Sequence, residues 1–522
     1  MDQHAAQSLP EHVDVLVVGA GISGIGAAHQ LLVDTPGKSF VVLEARDDVG
    51  GTWDLFRYPG IRSDSDLFTF GFAFRPWRSD VAIASGEAIR EYLNETVDAE
   101  GIRPHIRFRT RVERMEWSSA TGRWTVHVVE LGDGHGDGHG DAHGDGAGSG
   151  EAASEGPGVR RTLTASWVFA GAGYYRYDRG YVPELPGLDD FLGEIIHPQH
   201  WPEDADLGGK RVLVIGSGAT AVTLVPALAG TARHVTMLQR TPSYVLPLPA
   251  RDPFAGVAMR LLGEDRGFVA TRYKSALVQR LTWLACQRFP KQARRVIRAI
   301  QVKQLPEGYP VDVHFNPPYQ PWDQRLCVVP DGDLFAAISR GEASVVTDRI
   351  RTFTPGGVQL ESGEHLDADV VVTATGLSVL PFGGIETVVD GEPFVLADHV
   401  AYRGFMLDGL PNFAFAIGYT NASWTLKVSL LCEYFTRLLR HMDARGFDQV
   451  RPQLPEGEFE TRPLLDFGAG YVQRAVDDLP RQGTREPWLM SMNWFADRRL
   501  IGKAELEDGH LAFSRTRARE LR

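Results

Sequence analysis

Two glycine-rich turns, each placed straight after a β-branched run, constrain this chain more than any other feature. Val13-Asp-Val-Leu-Val-Val18 leads into Gly19-Ala-Gly21-Ile-Ser23-Gly24, and residues 25–32 continue with helical spacing. The first glycine makes the tight turn, the second lets backbone approach a pyrophosphate, and the third lets helix and strand pack closely. The helix N-terminus then offers free N–H groups to phosphate. A second strand, Phe40-Val-Val-Leu43, ends in Glu44, where a carboxylate can take the ribose hydroxyls of an adenosine. The pattern recurs when Lys210-Arg-Val-Leu-Val-Ile215 enters Gly216-Ser-Gly218-Ala-Thr220-Ala221, with Ala an accepted third residue. Its next strand, His234–Leu238, ends not in an acid but in Gln239-Arg240-Thr241. A carboxylate there would repel a 2′-phosphate, whereas a guanidinium can bind one through two donors, so NADPH is expected over NADH. The fold class that follows is α/β, with two Rossmann-like dinucleotide-binding domains.

The chain has room for both. At 522 residues it exceeds one ordinary core. A formal net charge of −13 argues against a nucleic-acid partner, which needs a basic face. The three cysteines, with no Cys-x-x-Cys, leave no disulfide framework, cysteine zinc site or reductase dithiol, and fit a reducing cytosol. The N-terminal MDQHAAQSLPEH has neither a basic start nor an apolar core, so a cytoplasmic protein is expected.

Between the two turns lies a stretch with little helical or strand periodicity, Phe191-x-Gly193-x-x-x-His197-x-x-x-Trp201-Pro202. Taken residue by residue it reads as an interdomain linker with a buried His, Trp and Phe. Its spacing matches the fingerprint of the type I Baeyer–Villiger monooxygenases. Gly50-Gly51-Thr52-Trp53-Asp54, Arg57-Tyr-Pro-Gly-Ile-Arg-Ser-Asp64 and Tyr319-Gln-Pro-Trp-Asp-Gln-Arg325 resemble the same family, especially the mycobacterial ethionamide-activating subgroup.

That resemblance implies an FAD- and NADPH-dependent enzyme. Reduced flavin would add O2 to form a C4a-peroxyflavin, which inserts oxygen beside a ketone carbonyl to give an ester or lactone, or oxidises a sulfide. By the same resemblance Thr52, Trp53 and Asp54 contact FAD, the backbone of Val112 holds its adenine, and Asp64 stands near the isoalloxazine and pairs with a catalytic Arg325. On residue type alone Asp64 reads equally as a turn residue or helix cap. One departure is Gln324, where some relatives carry a Lys for the 2′-phosphate. The implied layout is an FAD domain in two pieces, 10–160 and 376–522, around an inserted NADPH domain, 161–375, with a helical excursion at about 250–320. Partners would be a small-molecule ketone or sulfide and O2. Alternatives are a flavin-containing N/S-monooxygenase, whose fingerprint lacks the final Trp-Pro, a non-oxygenating NADPH:flavin reductase, and a silent flavoprotein.

Three further stretches carry expectations. Residues 131–158 repeat Gly-His-Gly-Asp around His135, His139 and His143; with little apolar surface to bury, they read as a disordered loop rather than a metal site. Residues 251–305 are helical in pattern and basic, as in Lys291-Gln-Ala-Arg-Arg-Val-Ile-Arg298, and read as a solvated helix face in preference to a membrane contact. Asn412–Trp424 reads as strand, turn and helix start, and such a helix N-terminus can stabilise negative charge on a reduced flavin.

Overall fold

The computed structural model describes residues 8–132 and 158–516. Two sheets organise it. The first is built on β1 (His12–Val18), β2 (Phe40–Leu43), β3 (Ile106–Arg107), β4 (Thr110–Ser118), β5 (Arg123–Glu130) and β6 (Val159–Ala170). Its order is Glu392–Pro393, Glu386–Val389, β4, β5, β6, β1, β2, β3, with Phe413–Phe415 also pairing with β6. β1 is parallel to both β2 and β6, whereas β4, β5 and β6 form an antiparallel meander. Central strands buried on both faces read as unbroken apolar runs, and Val15, Leu16 and Val17 of β1 are fully buried. Arg109, at φ 53°, breaks the chain between β3 and β4.

The second sheet is wholly parallel. It is built on β7 (Glu194–Ile196), β8 (Arg211–Ile215), β9 (His234–Gln239), Ala343–Thr347 and Val370–Thr373, in the order 343–347, β9, β8, 370–373, β7. The boundary expected at 160/161 therefore moves. It falls inside β6, which pairs with β1 and β5 along most of its length and stays in the first sheet. The fingerprint stretch also carries an element its short-range pattern concealed, because β7 is three residues long and sits at a sheet edge.

Helices α1 (Ile22–Asp34) and α2 (Ala219–Leu228) follow the two glycine turns. Residues 253–304 form α3 (Pro253–Leu262), α4 (Glu264–Arg288) and α5 (Pro290–Gln304). The long α6 (Trp424–Arg445) packs on α1 behind the first sheet. The repeat 131–158 lies almost wholly outside the described residues; its flanks, Glu130 and Val159, face each other across β5 and β6. Among the described residues no helix is long and apolar enough to cross a membrane.

Candidate functional site

Each glycine turn has the close contacts its sequence demands. Gly19 sits at φ +93°, and a Cβ on Gly24 would lie 1.8 Å from the Gly19 carbonyl oxygen. Gly21 caps α1 without a side chain, so the first-turn N–H groups stay open. Glu44, at the end of β2, is buried and turned back on this loop, accepting from the Ala20 amide at 2.7 Å and the Arg46 amide at 3.0 Å. Burial raises its pKa while those two amides oppose the rise. Val112 is on β4, next to Glu44, whose carbonyl accepts from the Thr110 amide at 2.8 Å. These parts fit a dinucleotide with its pyrophosphate on the glycines and its adenosine toward Glu44 and Val112.

The second turn fits a nucleotide in the same way. Gly216, at φ +141°, would drive a Cβ to 2.3 Å from the Ala374 carbonyl oxygen, and nothing lies within 4 Å of the Cβ position at Gly218. Thr220 is half-exposed and Ala221 fully buried in the first turn of α2. Arg240 is exposed just beyond β9 and, among the described residues, has no acidic partner. Beside it the Ser217 hydroxyl donates to the Thr241 carbonyl at 2.8 Å. An exposed guanidinium beside a phosphate cradle suits a 2′-phosphate.

Gly50 and Gly51, both at positive φ, turn the chain into the short helix Thr52–Leu55 against the first loop. A Cβ on Gly21 would lie 3.6 Å from the Gly51 Cα, so two stretches of backbone meet there. Thr52 and Trp53 are partly exposed toward this junction, and Trp53 packs edge-on against Phe70 at 5.6 Å. Asp54 is not: its carboxylate is buried between Arg46, at 2.7 Å, and Arg57. It braces the turn from behind.

Arg325 and Asp64 come together from 261 residues apart. The guanidinium donates through Nε at 2.6 Å and Nη2 at 2.8 Å to the two oxygens of Asp64. Burial pushes the Arg325 pKa down, but Asp64 outweighs it and holds the cation firmly protonated. Its side chain is still 40% exposed. Below it Cys327 is buried, its thiol pushed up to about 12. All three cysteines are buried and unpaired, so none is a poised nucleophile.

The sequence reading missed the aromatic wall here. Tyr174 and Tyr175 follow the Gly171–Gly173 turn, and Tyr471 comes from the short helix Gly470–Gln473. Tyr175 has its ring centroid 4.7 Å from that of Tyr174 and 6.1 Å from that of Tyr471. Burial raises the phenol pKa of Tyr174 and Tyr175, so both keep their protons. Tyr174 also lies 5.5 Å from Trp424, whose Nε1 donates to the Ser23 hydroxyl at 3.0 Å. Thus the N-terminus of α6 faces the first glycine turn. Paired tyrosines directly after a Gly-Ala-Gly turn were the available signal.

The fingerprint residues divide between the core of the second sheet, which takes Phe191 and Gly193, and the junction of the two halves, which takes Trp201. Phe191 packs edge-on against Phe353 at 6.1 Å, and a Cβ on Gly193 would meet the Phe191 ring at 2.4 Å. Trp201 is buried in a cluster that joins Phe56 and Tyr58 of the first half to Val212 and Val214 of β8; Pro202 after it is half-exposed. His197 accepts at Nδ1 from the Gln199 amide at 3.1 Å, which leaves the proton on Nε2. Burial lowers its pKa to about 4, so the ring is neutral. Gln199 Nε2 donates to the Arg176 and Tyr177 carbonyls at 3.0 and 2.8 Å, and Thr375 donates to the Tyr181 carbonyl at 2.7 Å. The stretch is tied through Gln199 to the segment 176–177 and through β7 to the strand Val370–Thr373, and no hydrogen bond or ion pair joins its described residues to Arg325 or Asp64. Among the described residues no group of three or more His, Cys, Asp or Glu is placed to hold a metal.

The chain is similar to known proteins. Residues 17–81 match a model for an NAD(P)-binding Rossmann-like domain, and residues 147–390 match the flavin-binding monooxygenase-like family. The chain is 48% identical to the FAD-containing monooxygenase EthA of Mycobacterium tuberculosis, over 97% of this chain and 99% of that one. It is 44% identical to the probable FAD-binding monooxygenase AlmA of Acinetobacter baylyi, over 97% of each. Among solved structures, oxidised steroid monooxygenase bound to NADP aligns with a TM-score of 0.71 and 23% identity, over 97% of this chain and all of that one, a likeness of fold. The chain belongs to the family of FAD-containing monooxygenases represented by EthA.

Proposed function

We propose that the chain is an FAD- and NADPH-dependent monooxygenase that inserts one atom of O2 beside a ketone carbonyl, giving an ester or lactone, and that the same site oxidises sulfides. The observation that carries this reading is the two-bond, partly exposed Asp64–Arg325 pair, which ties the segment after the first dinucleotide turn to the segment after the second, with no poised protein nucleophile beside it. Gly19, Gly21, Ser23, Gly24, Glu44, Thr52, Trp53 and Val112 would hold FAD on the first sheet. Gly216, Gly218, Thr220, Ala221, Arg240 and Thr241 would hold NADPH on the second. Bound FAD, reduced by NADPH, supplies the activation of O2.

The chain's own residues supply position and charge. Arg325 presents a permanent cation to negative charge developing on the substrate oxygen, and needs no rearrangement to do so. Asp64 fixes the plane of the fork. The phenols of Tyr174, Tyr175 and Tyr471 stand beside this cation and would exclude water from the reacting atoms. His197 and Trp201 hold the connecting strands in register, so that nucleotide binding on one sheet is felt at the other. Incubation with a ketone and sulfide panel under ¹⁸O2, with products weighed by mass spectrometry, tests the proposal. One labelled oxygen per product and per NADPH consumed is expected. NADPH oxidation that yields only hydrogen peroxide across the panel would make the protein a reductase.

A further inference from the structure

We infer that the outward face of α3 and α4 is a docking surface for a bilayer carrying anionic lipid headgroups. The inward face of α4 is already fully engaged. Phe268, Thr271, Arg272 and Ser275 are buried, and Arg272 donates to the Phe68 and Gly71 carbonyls at 2.8 and 2.7 Å. Gln279 donates to Asp66 at 2.6 Å. The helix is therefore fixed to the body without its other side.

That other side is apolar where a solvated face was expected. Val269, Leu277, Leu281 and Leu284 are all exposed, and their spacing of eight, four and three residues puts them on one stripe, bordered by Tyr273, whose ring packs on Trp494 at 5.2 Å. α3, packed so closely that a Cβ on Gly267 would meet Met259 backbone at 2.5 Å, adds Phe254, Val257 and Leu261, the last 75% exposed. A solvated helix shows charge on such a face. A continuous apolar stripe marks a surface that something covers.

Charge identifies what covers it. Residues 253–304 hold eleven Lys or Arg and two Asp or Glu, a net of +9 in a chain whose total is −13. Among the described residues Arg260, Arg266, Arg288, Lys291, Arg295 and Lys303 have no acidic partner. Buried Arg272 and the paired Lys274 and Arg298 do not count toward this face, yet a two-fold dimer through it would still set the unpaired cations against their own copies. Apolar side chains flanked by unpaired cations match an anionic interface, where the stripe enters the headgroup–acyl boundary and the cations meet phosphate.

Flotation of the full-length FAD-loaded protein with vesicles tests this, using phosphatidylcholine alone and phosphatidylcholine with one-third phosphatidylglycerol. We expect binding to the anionic vesicles only, weakening as salt rises. L277D/L281D should lose at least tenfold in affinity. R288E/R295E should lose more than about twentyfold, since each cation near such a surface contributes roughly fivefold. Both variants should keep FAD content, far-UV circular dichroism and NADPH oxidation. Absence of binding, equal binding to both vesicles, or affinity indifferent to both variants would overturn the inference. So would a concentration-dependent dimer in sedimentation velocity that L277D/L281D dissolves, which would make a second copy the occupant.

Discussion

Replacing Arg325 by alanine should separate O2 consumption from oxygenation. A guanidinium has five N–H donors, and Asp64 takes two of them, through Nε at 2.6 Å and Nη2 at 2.8 Å. The direction of the remaining donors is already set by that pair, because the guanidinium is planar. Losing one preorganised donor to a developing oxyanion typically costs about 10²–10³ in rate, or roughly 2.7–4 kcal/mol. Because the side chain is 40% exposed, solvent screens part of this, which places the expected loss at the lower end, roughly a hundredfold. The assay follows NADPH oxidation, peroxide and ester formation together on one ketone. Arg325→Ala should bind FAD, oxidise NADPH and release hydrogen peroxide, with product formation down about a hundredfold. Arg325→Lys should recover little, because one ammonium cannot meet both Asp64 oxygens in the planar arrangement of the fork. Product formed at the normal rate would make Arg325 an ordinary surface cation. Product restored by saturating NADPH would make it a phosphate contact. Either result refutes the argument.

Arg240→Ala should weaken NADPH by about ten- to a hundredfold, as expected for one charge-assisted contact of roughly 1.5–3 kcal/mol, while NADH binding barely moves; equal losses in a titration would show that Arg240 does not read the phosphate. The neutral, half-buried His197, with its pKa lowered to about 4, should make the fold acid-sensitive. Its contribution is complete above pH ~6.5 and is lost as pH falls toward 4, by up to about 3 kcal/mol. Urea midpoints for His197→Gln should therefore lose much of their decline over that window, and an unchanged decline would assign it to other groups. Because Glu130 faces Val159 across β5 and β6, replacing residues 131–158 with a short Asn-Gly turn should leave FAD content and turnover within about twofold. Loss of a stoichiometric metal with the deletion would show that the His-rich repeat binds one.

What this sequence settled by itself was local. Each dinucleotide turn lies within about thirty residues of chain, and its first glycine holds a positive φ that other residues rarely adopt, so strand, turn and helix can be read without knowing their neighbours. Gly19–Gly24 with Glu44, and Gly216–Ala221 with Arg240, were legible for that reason, and the fingerprint was legible through its spacing. Arg325 and Asp64 could be named through family likeness, but their two-bond geometry could not, since nothing within either segment encodes a partner 261 residues away. The tyrosine wall has the same origin: Tyr174 and Tyr175 leave one connecting strand, Tyr471 comes from the C-terminal half, and only packing of the sheets brings them to one guanidinium. β6 was misassigned because a strand pattern shows what is buried, not which sheet buries it. The α4 stripe is the sharpest case. Its periodicity marks two candidate faces, and the choice between core and surface was made by the contacts of Arg272 and Phe268 with the body, which exist only in the folded chain.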